Sequence, residues 1–234
     1  MSSSKSKRKG DNEPRIKVTK NGPYIVSGNV PLIKMKIEVD EDGCPYRWQE
    51  TGRFPQRNMY LLCRCGLSKN KPYCDNAHKD SGFDGTETAS FEGYLENIRT
   101  FEGPELILKD KKELCVEAGF CERAGNIWNL TVNSDNPDYM MTAIQEAADC
   151  PSGRLVMYDK QGRAIEPDFE PSIAVTEDEE GGPGPLWVRG GISIMSANDK
   201  EYEMRNRVTL CNCGKSENKP LCDGSHFEAD SNEV

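Results

Sequence analysis

The sequence predicts an α+β protein in which two small β-rich units flank an α+β insert. Three observations predict it. A C-x-C-x8-C-x3-H pattern occurs twice, first as Cys63, Cys65, Cys74 and His78, then as Cys211, Cys213, Cys222 and His226, each residue 148 positions after its counterpart. A run of strand-forming residues precedes each set. Between the sets, a helical pattern opening on Pro137 lies among strand signals. The chain has 234 residues, of which 35% are apolar and 29% charged. That is little apolar surface for one large core, so small units stiffened by bound metal are expected. The net charge of -9 argues against nucleic acid as the main partner, because phosphate binding needs a basic footprint. No apolar run is long enough to span a bilayer and no secretion signal is visible. The ten cysteines therefore read as metal ligands in an intracellular reducing compartment, the cytoplasm, rather than as disulfides.

Along the chain, residues 1–14 carry Lys5, Lys7, Arg8 and Lys9 and read as a disordered basic tail. The first unit spans 15–83. Its strand signals are Tyr24 to Val26 and Val30 to Val39, with a hairpin expected at Gly28-Asn29. The second unit spans 184–234. Its Gly184-Pro-Leu-Trp-Val-Arg-Gly190 repeats Gly22-Pro-Tyr-Ile-Val-Ser-Gly28, with strands at Leu186 to Val188 and Ile192 to Ile194 and a second hairpin expected at Gly190-Gly191. This upstream repeat is offset by 162 positions, so the first unit carries 14 extra residues before its ligands, Cys44 among them.

The ligand loops repeat in more than their ligands. Both carry Gly (Gly66, Gly214), which allows φ > 0 and a close wrap around an ion. Both carry Ser (Ser68, Ser216) to bond turn backbone, and Pro (Pro72, Pro220) to fix φ before the third cysteine. Asp75 and Asp223 are placed to cap a short helix that delivers the histidine, on which Cys and His at i and i+4 share a face. Zinc sites of three cysteines and one histidine usually use two tight hooks. A single-residue first hook and a third cysteine eight residues on make a looser cradle, suited to a 2Fe-2S rhombus gripped at each end.

The two loops resemble the CDGSH iron-sulfur domain family: Cys222-Asp-Gly-Ser-His226 spells its motif, and Cys74-Asp-Asn-Ala-His78 is a variant that keeps every ligand. The resemblance implies two 2Fe-2S clusters. One is held by Cys63 and Cys65 on its inner iron and Cys74 and His78 on its outer iron, the other by Cys211, Cys213, Cys222 and His226. It also implies paired cluster loops under a β-cap built by strand exchange between two units. Here both units lie in one chain, which points to an intramolecular pseudo-dimer, a monomer needing no second chain.

The insert, 84–165, reads as a strand near Glu105 to Lys109, a strand at Ile127 to Val132, a helix from Pro137 to Ala148 with Met141, Ile144 and Ala148 on one face, and a strand at Leu155 to Tyr158. It is similar to the divergent single-cluster, ferredoxin-like 4Fe-4S domain. It holds three cysteines, Cys115, Cys121 and Cys150, where a 4Fe-4S cluster normally takes four and a 3Fe-4S cluster three. The preferred reading is that they are small buried hydrophobes of a fold that has lost its cluster; a third 3Fe-4S or 4Fe-4S cluster on them is the alternative. Residues 166–183, acidic and then rich in Gly and Pro, read as a linker.

Functionally, a neutral imidazole in place of a thiolate makes a site easier to reduce, and its second nitrogen can take up a proton on reduction. The expected role is electron transfer or redox sensing with a redox partner protein. Cluster storage or transfer to an apo-acceptor is the alternative, and a structural zinc protein a third reading. No nucleotide loop or nucleophile constellation points to an enzyme.

Overall fold

The computed structural model describes residues 13–227. The tail expected over 1–14 lies outside them except for its last two residues. In order, the elements of the first unit are β1 (Arg15–Val18), β2 (Tyr24–Ser27), β3 (Leu32–Val39), β4 (Pro45–Arg53) and β5 (Met59–Leu62). The insert contributes β6 (Arg99–Glu102), β7 (Leu106–Asp110), α1 (Ile127–Val132), α2 (Pro137–Asp149), β8 (Leu155–Asp159) and β9 (Ala164–Ile165). β10 (Ser172–Glu177), β11 (Pro183–Arg189), β12 (Ser193–Met195) and β13 (Arg207–Leu210) complete the chain.

The two expected hairpins do not form. β2 and β3 part at Gly28 and enter different sheets, as β11 and β12 do at Gly190. Both glycines have positive φ, +89° and +76°. A Cβ at Gly28 would lie 2.3 Å from the Glu13 carbonyl oxygen, and one at Gly190 would lie 2.5 Å from Pro171 N. The turn residues therefore let the chain pass close under the segment entering the neighbouring strand; they do not close a ribbon.

The sheets run β12-β1-β2-β5 and β13-β11-β10-β3-β4. Registers make the first four strands of one the counterparts of four in the other. Ile16 on β1 faces Val26 on β2 and Ile194 on β12; Ile173 on β10 faces Val188 on β11 and Leu32 on β3. Each unit thus lends one strand, β3 or β12, in parallel to the other's sheet. β10 is the counterpart of β1, so the segment expected as a linker contains a core strand. Its acidic surroundings hid a strand buried on both faces, Ile173 and Val175 toward the central core and Ala174 in the cluster with Trp187. β4 has no counterpart and accounts for the extra residues of the first unit.

The two sheets close over one core in which Ile16, Tyr24 and Val26 meet Ile173, Val188 and Leu210. Burial alternates along β1 and β2, and each enclosed aliphatic contributes about 1.5–3 kcal/mol.

The insert packs α1 and α2 on an antiparallel β6-β7-β8-β9 sheet around Leu106, Leu108, Leu130, Ala147 and Met157. Residues Ile127–Val132, expected as a strand, are helical. The Asn126 side chain accepts from Asn129 N at 2.9 Å and starts the turn, and Ile127, Leu130 and Thr131 are buried at helical spacing. The α2 helix starts on Pro137 as expected, but its core face is Met140, Ala143, Ile144 and Ala147, and Met141 is 64% exposed. Among the described residues no helix is long and apolar enough to cross a membrane.

Candidate metal centres

The two ligand loops are superimposable in their bonding. β5 ends at Cys63, whose N–H donates to Pro72 O at 2.9 Å; β13 ends at Cys211, whose N–H donates to Pro220 O at 2.9 Å. Cys74 N bonds Leu61 O at 2.9 Å and Cys222 N bonds Thr209 O at 3.0 Å. Ser68 Oγ donates to Tyr73 O at 2.6 Å, and Ser216 Oγ to Leu221 O at 2.7 Å. Asp75 does not cap a helix through its own start. It accepts from Lys69 N at 2.8 Å and Ala77 N at 3.0 Å, tying the two arms of the loop together. Asp223 does the same with Glu217 N and Ser225 N. The delivering helix is a single 3-10 turn, Ala77–Lys79, after Cys74, so loop bonding and not a helix face aligns Cys74 with His78.

The donors fall in pairs. Cys63 and Cys65 Sγ are 3.7 Å apart, as are Cys211 and Cys213 Sγ. Cys74 Sγ lies 3.5 Å from His78 Nδ1, and Cys222 Sγ 3.5 Å from His226 Nδ1. These separations match the edge of a tetrahedron with metal–sulfur bonds of about 2.3 Å and metal–nitrogen bonds of about 2.0–2.1 Å. Among the described residues no three His, Cys, Asp or Glu side chains converge on one ion. The donor set therefore fits an object with a metal at each end. Burial pushes the Cys222 thiol up to about 12 and raises Cys65. The Cys211–Cys213 contact lowers Cys211 and raises Cys213, so the pair readily gives up one proton and holds the other. A metal binding there displaces protons as it binds.

The profile of the family described as iron-binding zinc finger CDGSH type matches residues 21–79 and 183–227. The two flanking units are CDGSH-type iron-binding domains. The profile described as divergent 4Fe-4S mono-cluster matches residues 101–160 between them, so the insert is a ferredoxin-like segment and the protein binds iron-sulfur clusters. No curated protein and no solved structure matches the chain.

The two CDGSH loops meet back to back. Gly66 and Gly214 have φ of +78° and +81°; a Cβ at Gly66 would lie 2.4 Å from Cys213 O, and one at Gly214 would lie 2.7 Å from Cys65 O. The glycines make room for the opposite loop, where the sequence reading had them wrap around their own ion. Tyr24 of the first unit reaches across to donate to Cys211 O at 2.7 Å. The two loops differ in cover: Cys74 and His78 are half-buried, whereas Cys222 and His226 are buried.

In the insert, Cys115, Cys121 and Cys150 line one cavity of about 290 Å³. They are half-buried and face a common space, which the reading of them as plain core hydrophobes does not predict. Burial pushes the Cys121 thiol up to about 12, with Cys150 adding to the effect. Arg154, which the sequence did not mark, donates from Nη1 to Cys115 Sγ at 3.0 Å. Its Nε and Nη2 grip buried Asp110 at 2.7 and 3.1 Å. A guanidinium fixed on Asp110, bonded to Cys115 and lining the same cavity as the other two thiols, suits an anionic cluster. Cys44 sits in the β3–β4 turn, its N–H on Asp40 Oδ1 at 2.9 Å, apart from these constellations.

Proposed function

We infer that each CDGSH loop holds a 2Fe-2S cluster, on Cys63, Cys65, Cys74 and His78 and on Cys211, Cys213, Cys222 and His226. In the same reading Cys115, Cys121 and Cys150 hold a third, 3Fe-4S or 4Fe-4S, cluster. The protein then serves electron transfer or redox sensing, with a redox partner protein as its counterpart. The observation that supports this best is the pairing of donors, sulfur with sulfur and sulfur with imidazole, at tetrahedral-edge distances in both loops.

Bound clusters supply one-electron chemistry. The chain's residues supply the tuning. At the first site Nδ1 of His78 faces Cys74, so the proton taken up on reduction is assigned to its Nε2. At His78 that nitrogen belongs to a half-exposed ring. The same exposure of Cys74 and His78 favours a second role, release of the first cluster to an apo-acceptor. All ten cysteines are unpaired, which fits a reducing compartment such as the cytoplasm.

Replacing a neutral imidazole by a thiolate adds negative charge at the iron. His78→Cys and His226→Cys should each lower the potential of one cluster by on the order of 100 mV in a redox titration. An unchanged potential in both variants contradicts histidine as a ligand.

A further inference from the structure

The insert leans on one CDGSH site in particular. A Cβ at Gly224, between ligands Cys222 and His226, would lie 3.7 Å from the Cys115 carbonyl oxygen and 3.5 Å from Glu117 Cγ. His226 shares a cleft of only about 20 Å³ with Val116, Ala118 and Pro151. Cys115 and Pro151 also line the three-cysteine cavity. One stretch of chain, Cys115 to Ala118, together with Pro151 is thus a common wall, one side facing the insert thiols and the other the outer ligands of the second site. At the first site the corresponding residues differ: Asp75 and Asn76 are exposed, and Cys74 and His78 half-exposed. The second site in turn touches the first through the Gly66–Cys213 and Gly214–Cys65 contacts.

We propose that the three sites form a line with a fixed order, insert to second CDGSH site to first CDGSH site, in which the Cys115–Ala118 wall is the conduit and the first site is the terminus that meets a partner. This rests on the reading that the insert cysteines hold a cluster. Tunnelling falls steeply with distance, so contacting ligand loops set the route. With clusters bound, an electron given up by the insert site, oxidised by one unit, would reduce the second site by one unit, and the Cys115–Ala118 wall would be the contact it crosses. No bond or proton moves along the wall. The electron enters the insert from a one-electron donor protein and leaves the first site to a one-electron acceptor. The contacts fix the order, because the second site touches both the insert wall and the first site.

The test is electron paramagnetic resonance on the fully loaded, fully reduced chain, with iron counted on the same sample. In the wild type, one of the two 2Fe-2S signals is broadened by the insert signal and the other is not. Cys74→Ser, which breaks the first site, leaves the broadening of the insert signal in place; Cys222→Ser abolishes it. Equal broadening of both 2Fe-2S signals, or broadening that survives Cys222→Ser and disappears in Cys74→Ser, overturns the order even with all clusters counted. An iron count of about four in place of about seven or eight removes the insert cluster itself, and the conduit with it.

Discussion

Glu146 is fully enclosed in α2. Its Oε1 accepts from Ala124 N at 3.2 Å, while Oε2 has no hydrogen-bond partner. Desolvation pushes its carboxyl up to about 7. Because the folded value lies above the unfolded one, the folded chain binds more protons between about pH 4.5 and pH 7. Stability therefore falls as pH rises through that window and levels off above it. Glu146→Gln removes the ionisation. In urea unfolding at pH 8 it should exceed the wild type by up to about 3 kcal/mol, and the gain should shrink to nothing near pH 4.5. A loss at pH 8 would show that the ionised carboxylate is needed. None of this was readable beforehand, since a Glu on an amphipathic helix looks like a solvated charge.

Among the elements, the facing loops come close because of two glycines whose role depends on a partner loop 148 residues away. Gly66→Ala meets two penalties, a positive φ and a Cβ 2.4 Å from Cys213 O. Gly43→Ala meets only the first, since φ is +80° and nothing lies within 4 Å. The φ cost alone is about 1–3 kcal/mol. Gly66→Ala should lower the melting temperature well beyond Gly43→Ala; equal effects would mean that the loops yield to each other. The ligand pattern, the loop Ser contacts, and α2 with its Pro start were legible because each depends on residues close in sequence. The local pattern put β3 and β12 in hairpins and only the family resemblance implied their exchange, while β10 as a strand was missed, because parallel exchange between distant segments leaves no local signature. The helix α1 was mistaken for a strand because Ile, Thr and Val in six residues outweigh one Asn cap when packing is unseen.

At the scale of the molecule, the second CDGSH unit and the insert are locked together by Arg207. It is 1% exposed and donates to Cys150 O at 2.8 Å, Ala147 O at 2.7 Å and Leu155 O at 3.0 Å, besides pairing with Glu166. It thereby satisfies the last carbonyls of α2 and ties them to β13. From the first unit, Trp48 on β4 reaches the same helix end, donating to Asp149 O at 2.9 Å. The extra strand of the first unit therefore supports the insert. Arg207→Met removes three hydrogen bonds from a buried guanidinium and leaves Glu166 without its ion-pair partner, and should cost about 3–5 kcal/mol in chemical denaturation. A cost below about 1 kcal/mol would mean that water replaces the guanidinium and the units are only loosely joined.

The proposed electron-transfer role needs two-metal objects in the CDGSH loops and a third cluster among the insert cysteines. Iron, acid-labile sulfide and zinc counted per chain on anaerobically purified protein test this directly. The expected result is about seven or eight iron, about eight sulfide and no zinc, falling to about four iron in Cys115→Ser. A colourless protein with about two zinc and no sulfide would contradict it, leaving each loop as a mononuclear structural site.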